Sequence, residues 1–423
     1  MTLRNHLYPG EIHMYDTPLF TPVQLGALAL SNRFVMPPMT RSRALPDGSP
    51  GPSAQLYYTQ RASAGLIITE GTVVSAEGVG GPGIPGLWSD AQVQGWRRIT
   101  DAVHEAGSTI VTQLWHTGRA SHPVFQPDGR TPVGPSPIAI DGLIFTDDGR
   151  VPFVTPRPLE IDEIQAIVAQ FAEAGRNALA AGFDGVEVHA ANGYLIDQFL
   201  QDSANQRTDR YGGSIENRAR LLLEVVDALI ETVGAERIGV RISPSSVFQD
   251  MTDSDPEALF GYVLDALGTR DLAYLHLVEP GIIGNDDSTV GQRPADNIDS
   301  TWVRKRYQGS LIATGGYERE TALHSIANDT VDAVGFGRDF IANPDLPERL
   351  ARNAEVREAQ RPTFFGGDDR GYLDYPSLEA ERLLAALRAG QLEPVPGVEL
   401  NSDTSLDEWH LAWAQDQHRA ATD

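Results

Sequence analysis

The chain alternates short apolar runs with longer amphipathic stretches. FVMPPM (residues 34–39), GLIITEG (65–71), STIVTQLW (108–115) and DGVEVHA (184–190) are followed by IGVRIS (238–243), LAYLHLVEP (272–280), SLIATGG (310–316) and DAVGFGR (332–338). Each is bounded by glycine, proline or polar turn residues, as expected of parallel strands buried on both faces. Between them the period changes to three and four. Val93, Trp96, Ile99 and Val103 predict a helix over Ser89–Glu105, with Ser89 as its N-cap. Further helices are predicted over 160–181, 214–233, 255–267 and 319–327, and a weaker one over 297–307. This is the order of an α/β protein built as a single (β/α)8 TIM barrel.

Three stretches fall outside that alternation. From Leu19 onwards the chain alternates apolar and polar residues like a hairpin, placed to cap the bottom of the barrel. Residues 117–158 are rich in Pro and Gly and too long for an ordinary strand-to-helix connection. They predict a lid-like excursion after strand 3, with a hairpin turn at Asp148-Gly149. The expected organisation is a loose arm over 1–15, a barrel over 16–390 and an acidic extension over 391–423. In that extension Trp409 and Trp413 stand four residues apart, suited to docking on the barrel or on a neighbouring subunit.

Barrel enzymes carry their chemistry at the C-terminal strand ends. In DGVEVHA, alternation puts Glu187 and His189 on the face opposite Val186 and Val188, and Asn192 and Tyr194 follow at once. The same alternation points Val111, Gln113 and Trp115 inward, and sets Arg241 against Val240 and Ile242. Arginines at a barrel mouth call for an anionic or electron-rich ligand, because an unpaired buried charge is costly. Gly315 and Gly316 after strand 7, with Gly337 and Arg338 after strand 8, occupy the usual phosphate position of this fold.

Residues 182–218 closely resemble the old yellow enzyme family of flavin-dependent ene-reductases. The family pattern HxxNxY is met by His189, Asn192 and Tyr194. Its continuation RTDxYGGSxENR is met by Arg207, Thr208, Asp209, Tyr211, Gly212, Gly213, Ser214, Glu216, Asn217 and Arg218. The resemblance extends from about Leu19 to Pro376. It implies an FMN cofactor, with NADPH as hydride donor and NADH possible, in a ping-pong cycle through flavin N5. Pro38, Met39, Thr40 and Gly71 would lie along the flavin. Gln113 and Arg241 would hold its pyrimidine edge, and Gly315, Gly316, Gly337 and Arg338 its phosphate. His189 and Asn192 would bind the substrate oxygen, Tyr194 would give the proton, and Trp115 and Phe365 would line the substrate pocket. Phe365 stands where many members have an aromatic hydroxyl, and Asn192 where some have a second histidine.

Composition narrows the alternatives. There is no cysteine, hence no disulfide, no catalytic thiol and no cysteine-held iron–sulfur cluster. That excludes a dienoyl-CoA reductase type of relative. The net charge of −25, with Lys305 the single lysine, argues against nucleic-acid or anionic-membrane partners. A GC-rich genome and adaptation to high salt both account for the arginine bias. No His and carboxylate spacing suggests a metal site. No signal peptide or membrane span is seen, so a cytoplasmic enzyme acting on small electrophilic alkenes is expected, as a monomer or homo-oligomer. The alternatives are a non-redox phosphate-binding lyase or isomerase on the same barrel, and a flavin-binding relative without turnover.

Overall fold

The computed structural model describes residues 17–282 and 298–388. The expected arm, the acidic extension with Trp409 and Trp413, and Asn297 lie outside these residues. The barrel strands are β1 (Phe34–Met36), β2 (Leu66–Ile68), β3 (Thr109–Trp115), β4 (Gly185–Ala190), β5 (Ile238–Ile242), β6 (Tyr274–Val278), β7 (Leu311–Thr314) and β8 (Ala333–Gly335). Every neighbouring pair is parallel. The barrel closes because β1 pairs with both β2 and β8, while β4 pairs with both β3 and β5. The main covering helices are α1 (Ala54–Thr59), α2 (Asp90–Glu105), α3 (Ile161–Ala180), α4 (Arg220–Val233), α5 (Pro256–Leu267), α6 (Ser300–Arg304) and α7 (Arg319–Ala327).

The strand alternation sorts the core into two layers. Outward residues such as Ile67, Val186, Val188, Val240, Leu275 and Leu277 pack against the helix faces, including Val93, Trp96, Ile99 and Val103 of α2. Inward residues Val35, Leu66, Ile68, Val111, Tyr274, Ile312 and Ala333 form a separate cluster with Ala273, just before β6, and with Leu25, Leu28 and Leu30. Those leucines belong to the antiparallel hairpin Val23–Leu25 and Leu28–Leu30, which plugs the barrel bottom as the alternation predicts. Above this layer the inward positions become polar: Gln113, Glu187, His189, Arg241, His276 and Thr314 are all buried. The apolar floor stabilises the barrel, and its polar top is left for chemistry.

Ser89 caps α2 as predicted, in a reciprocal capping box with Gln92. Several boundaries differ from the sequence reading. Helix α1 carried too short a periodicity to be read. The 214–233 helix is broken into Ile215–Arg218 and α4, because Ala219 caps one and opens the other. The weak 297–307 helix contracts to α6. β8 stops at Gly335, so Gly337 and Arg338 open the short helix Gly337–Ala342 instead of ending the strand. The excursion holds a hairpin, Leu143–Thr146 with Gly149–Pro152, whose two-residue turn is Asp147-Asp148. That turn is one position earlier than predicted, and the positive φ of 102° falls on Gly149, just after it.

A glycine inside β5 makes room for the barrel floor. A Cβ on Gly239 would lie 2.2 Å from the Tyr274 ring carbons. We therefore expect Gly239→Ala to overpack this layer, costing about 1–3 kcal/mol and lowering the melting temperature. Adding Tyr274→Leu should recover part of that loss. Equal melting of Gly239→Ala and wild type would contradict this packing.

Candidate active site

Three rings meet at the mouth. Trp115 ends β3, His189 lies near the end of β4, and Tyr194 follows in the next turn. Tyr194 packs edge-on against both partners, with centroids 4.7 Å from Trp115 and 5.1 Å from His189. Trp115 and His189 lie 6.1 Å apart and nearly parallel. Trp115 fits there because Gly71 has no side chain: a Cβ at Gly71 would lie 2.5 Å from the indole.

The turn that delivers Tyr194 is braced from three sides. Asn192 has a φ of 57°, a conformation Asn tolerates better than most residues. Its N–H donates to Ser243 Oγ at 2.7 Å, tying it to the end of β5. The Gly193 N–H donates to Asp197 Oδ2 at 2.8 Å. Gln198 donates to both Gly193 O and Thr117 O, and accepts the Arg119 N–H. Arg119 in turn reaches Ile138 O and Gln249 O, linking the excursion to the loop after β5.

Below the rings lies a buried polar chain. Gln113 Nε2 donates to Glu187 Oε1 at 2.8 Å. Glu187 Oε2 meets His276 Nδ1 at 2.8 Å, and His276 Nε2 meets Thr314 Oγ1 at 2.7 Å. Burial works against the Glu187 charge, but the His276 imidazole, Arg241 and the Gln113 amide hold its carboxyl below the usual range. Burial holds His276 below the ordinary histidine range, against the Glu187 carboxylate and aided by Arg241. Strand register sets Arg241 between His189 and His276. Arg241 is 8% exposed, and among the described residues its guanidinium has no hydrogen-bond partner.

The electrostatics suit a neutral imidazole beside a protonated phenol. Burial, then the Arg241 cation and His276, hold His189 well below the ordinary histidine range. Burial pushes Tyr194 up to about 12, with Gln249 and Arg241 opposing. His189 Nδ1, Trp115 Nε1 and Arg241 Nε are buried and lack partners among the described residues. Such orphaned donors and acceptors are costly without a ligand to satisfy them.

The remaining predicted residues line the same end of the barrel. Pro38, Met39 and Thr40 follow β1, half-buried. Their position is fixed by Glu70, whose carboxylate accepts the N–H groups of Arg41 and Ser42. Gly315 and Gly316 have φ of 142° and 67°, which glycine adopts freely. A Cβ on Gly316 would meet nothing within 4 Å, so its backbone is open to a close ligand. The space at Gly337 is bounded by Met39 Sδ and Pro37 at 3.8 Å, and Arg338 beside it is exposed. Phe365 is 48% exposed, and its ring neighbour among the described residues is Phe364, not the Trp115–His189–Tyr194 group. The Gly366 N–H donates to Arg41 O, which keeps Phe365 at the rim near Thr40.

A family model described as the NADH:flavin oxidoreductase / NADH oxidase family matches residues 18–357. The chain is 45% identical to a putative 12-oxophytodienoate reductase 4 of Oryza sativa subsp. japonica, over 86% of this chain and 94% of that one. It is 42% identical to the flavin oxidoreductase hxnT of Emericella nidulans, over 85% and 97%. Morphinone reductase superposes with a TM-score of 0.80 at 47% identity, over 86% of this chain and 97% of that one. The chain belongs to the old yellow enzyme family. It is an FMN-dependent, NAD(P)H-driven oxidoreductase of the ene-reductase type. The old yellow enzyme homologue of Zymomonas mobilis matches equally well, with a TM-score of 0.80 at 44% identity, over 85% of this chain and 99% of that one. This membership removes the non-redox lyase or isomerase alternative.

Within this old yellow enzyme fold, the RTDxYGGSxENR motif is scaffold. Arg207 pairs with Asp209 and donates to Pro135 O and Leu159 O, while Arg218 binds Leu200 O and the buried Asp253. Sequence reading missed His276, Arg119, Asp197 and Gln198. His276 was accessible from alternation alone, since it is inward in the same register as Tyr274. The other three depend on loop contacts that no periodicity encodes.

Burial pushes the Asp197 carboxyl from 3.8 up to about 7, against the hydrogen bonds from Gln201 and Gly193. The folded protein therefore keeps a proton that the unfolded chain has released, so this group's contribution to stability falls as pH rises from about 4 through about 7. Asp197→Asn can keep the Gly193 bond while Gln201 turns its amide. We expect the stability difference between variant and wild type, followed by denaturant unfolding, to shift in the variant's favour across that window. A pH-independent difference would contradict a raised Asp197 pKa.

Proposed function

We propose that this enzyme reduces the activated C=C bond of α,β-unsaturated carbonyl or nitro compounds, with Tyr194 as proton donor and His189 and Asn192 binding the substrate oxygen. The observation that carries this reading is the convergence of the Trp115, His189 and Tyr194 rings beside a buried guanidinium that lacks a described partner. Bound FMN, once reduced by NAD(P)H, supplies the hydride that adds to the β-carbon. Gln113 and Arg241 would hold its polar ring edge, and Pro38, Met39, Thr40 and Gly71 would lie along the ring. Gly315, Gly316, Gly337 and Arg338 would hold its phosphate, and the open space at Gly316 supports that assignment.

The chain's own groups account for the rest of the reaction. A neutral His189 has one N–H to give, and the Asn192 amide offers another. Together they stabilise negative charge that develops on a carbonyl or nitro oxygen. The proton on Tyr194 goes to the α-carbon, and water restores the phenol. Its high pKa keeps that proton in place at working pH. Trp115 supplies an apolar wall and orients Tyr194, while Phe365 would border the pocket from the rim.

We read residues 16–390 as the catalytic unit, flanked by the arm over 1–15 and the acidic extension over 391–423. Small electrophilic alkenes are the partners. The net charge of −25 supports an enzyme without nucleic-acid or anionic-membrane partners, and we place it in the cytoplasm. No helix among the described residues is long and apolar enough to cross a membrane.

Two variants separate the roles in anaerobic stopped-flow experiments. Tyr194→Phe should slow reoxidation by 2-cyclohexenone by about 10²–10⁴-fold, with reduction by NADPH nearly unchanged. Equal losses in both half-reactions would contradict a proton-donor role. His189→Ala should weaken binding of phenolic and enone ligands about tenfold or more, read from charge-transfer absorbance. Unchanged affinity would remove His189 from the oxygen site.

A further inference from the structure

Glu187 is fully buried, beneath the reacting centre and one inward position below His189. An ionised carboxylate in a barrel interior is expensive to maintain. A hydrophobic residue of similar volume would suit the core better, so the contacts of Glu187 should explain its presence.

Both oxygens are committed. A carboxylate can only accept, so Gln113 must present its amide nitrogen to Oε1, and His276 must carry its proton on Nδ1 toward Oε2. His276 Nε2 is then the acceptor for the Thr314 hydroxyl, which closes the chain at β7. The Gln113 amide therefore cannot flip. Its Oε1 has no hydrogen-bond partner among the described residues, yet it is not sealed from solvent. That oxygen is available to a ligand at the mouth. Glu187 is also the carboxylate that acts on Arg241, favouring its charged form against the cost of burial.

We propose that Glu187 is a positioning residue for the cofactor's polar ring edge: it locks the Gln113 amide with its carbonyl free for the ligand, and its charge offsets that of Arg241, so it sets the cofactor's reduction potential. This rests on the reading that Gln113 and Arg241 hold the flavin. Removing the negative charge leaves Arg241 uncompensated. A lone cation favours the more electron-rich, reduced cofactor, so the potential rises. Shortening the side chain while keeping the charge has a different effect: the balance with Arg241 survives, but the Gln113 amide is released.

The test compares Glu187→Gln, Glu187→Asp and Gln113→Ala in the full chain. FMN dissociation constants, two-electron midpoint potentials and melting of the FMN-free protein are measured for each. In Glu187→Gln the ratio of reduced to oxidised FMN affinity should rise at least tenfold, a potential increase of about 30 mV or more. In Glu187→Asp the potential should stay near wild type while oxidised FMN binds about tenfold more weakly. A folded Glu187→Gln protein with wild-type potential overturns the proposal. If Glu187→Gln does not fold, Glu187→Asp decides: weakened FMN binding at wild-type potential supports it, and unchanged binding overturns it. Gln113→Ala tests the underlying reading separately. Unchanged FMN affinity there would show that Gln113 does not hold the flavin, and would overturn both statements together.

Discussion

The candidate active site depends on a guanidinium held inside a barrel mouth. Arg241 is buried and points inward from β5, with no hydrogen-bond partner among the described residues. Its main compensating charge is the Glu187 carboxylate in the chain Gln113–Glu187–His276–Thr314. The cation has further consequences around it. Together with burial, it keeps the His189 imidazole neutral. It also leaves an electrostatic demand that an electron-rich ligand satisfies. The apolar floor below, plugged by Leu25, Leu28 and Leu30, keeps water from meeting that demand from beneath.

A second group of arginines fixes the frame. Tyr57 and Tyr372 stack with centroids 4.2 Å apart, with Arg61 over Tyr57 and Arg43 over Tyr372. Arg41 lies about equally close to both rings and donates to Phe364 O and Gly371 O. Arg61 donates to Phe340 O and Ile341 O, the carbonyls near the end of the Gly337–Ala342 helix. One buried cluster thus joins α1, the end of β1, the segment that carries Phe365 and the helix that opens with Gly337 and Arg338. Cation–π contacts gain strength when desolvated. The cluster holds several parts of the mouth in mutual register without touching the reacting centre.

The layers of the fold were legible because each strand obeys period two and each major helix period three to four. That alternation alone points Gln113, Glu187, His189 and Arg241 inward and puts the N-terminal hairpin beneath the barrel. It failed where geometry is set by caps and loops. Gly337 and Arg338 open a helix because Phe336, not Arg338, ends the extended backbone, and apolar content alone does not mark that change. The hairpin turn shifted by one residue because Gly149 takes the positive φ after the turn instead of within it. The bracing of Tyr194 by Asp197, Gln198 and Arg119 joins segments from β3, β4 and β5, and periodicity carries no information about such contacts. The resemblance supplied the site roles, and Phe365 is the residue whose placement at an exposed rim fits its implied role least directly.

The measurement that tests the central claim most directly is one anaerobic spectral cycle of the purified protein. Visible flavin bands should bleach on addition of NADPH and return on addition of 2-cyclohexenone, in the absence of oxygen. Bands that bleach with NADPH but return only with oxygen would contradict reduction of activated alkenes while leaving the flavin in place.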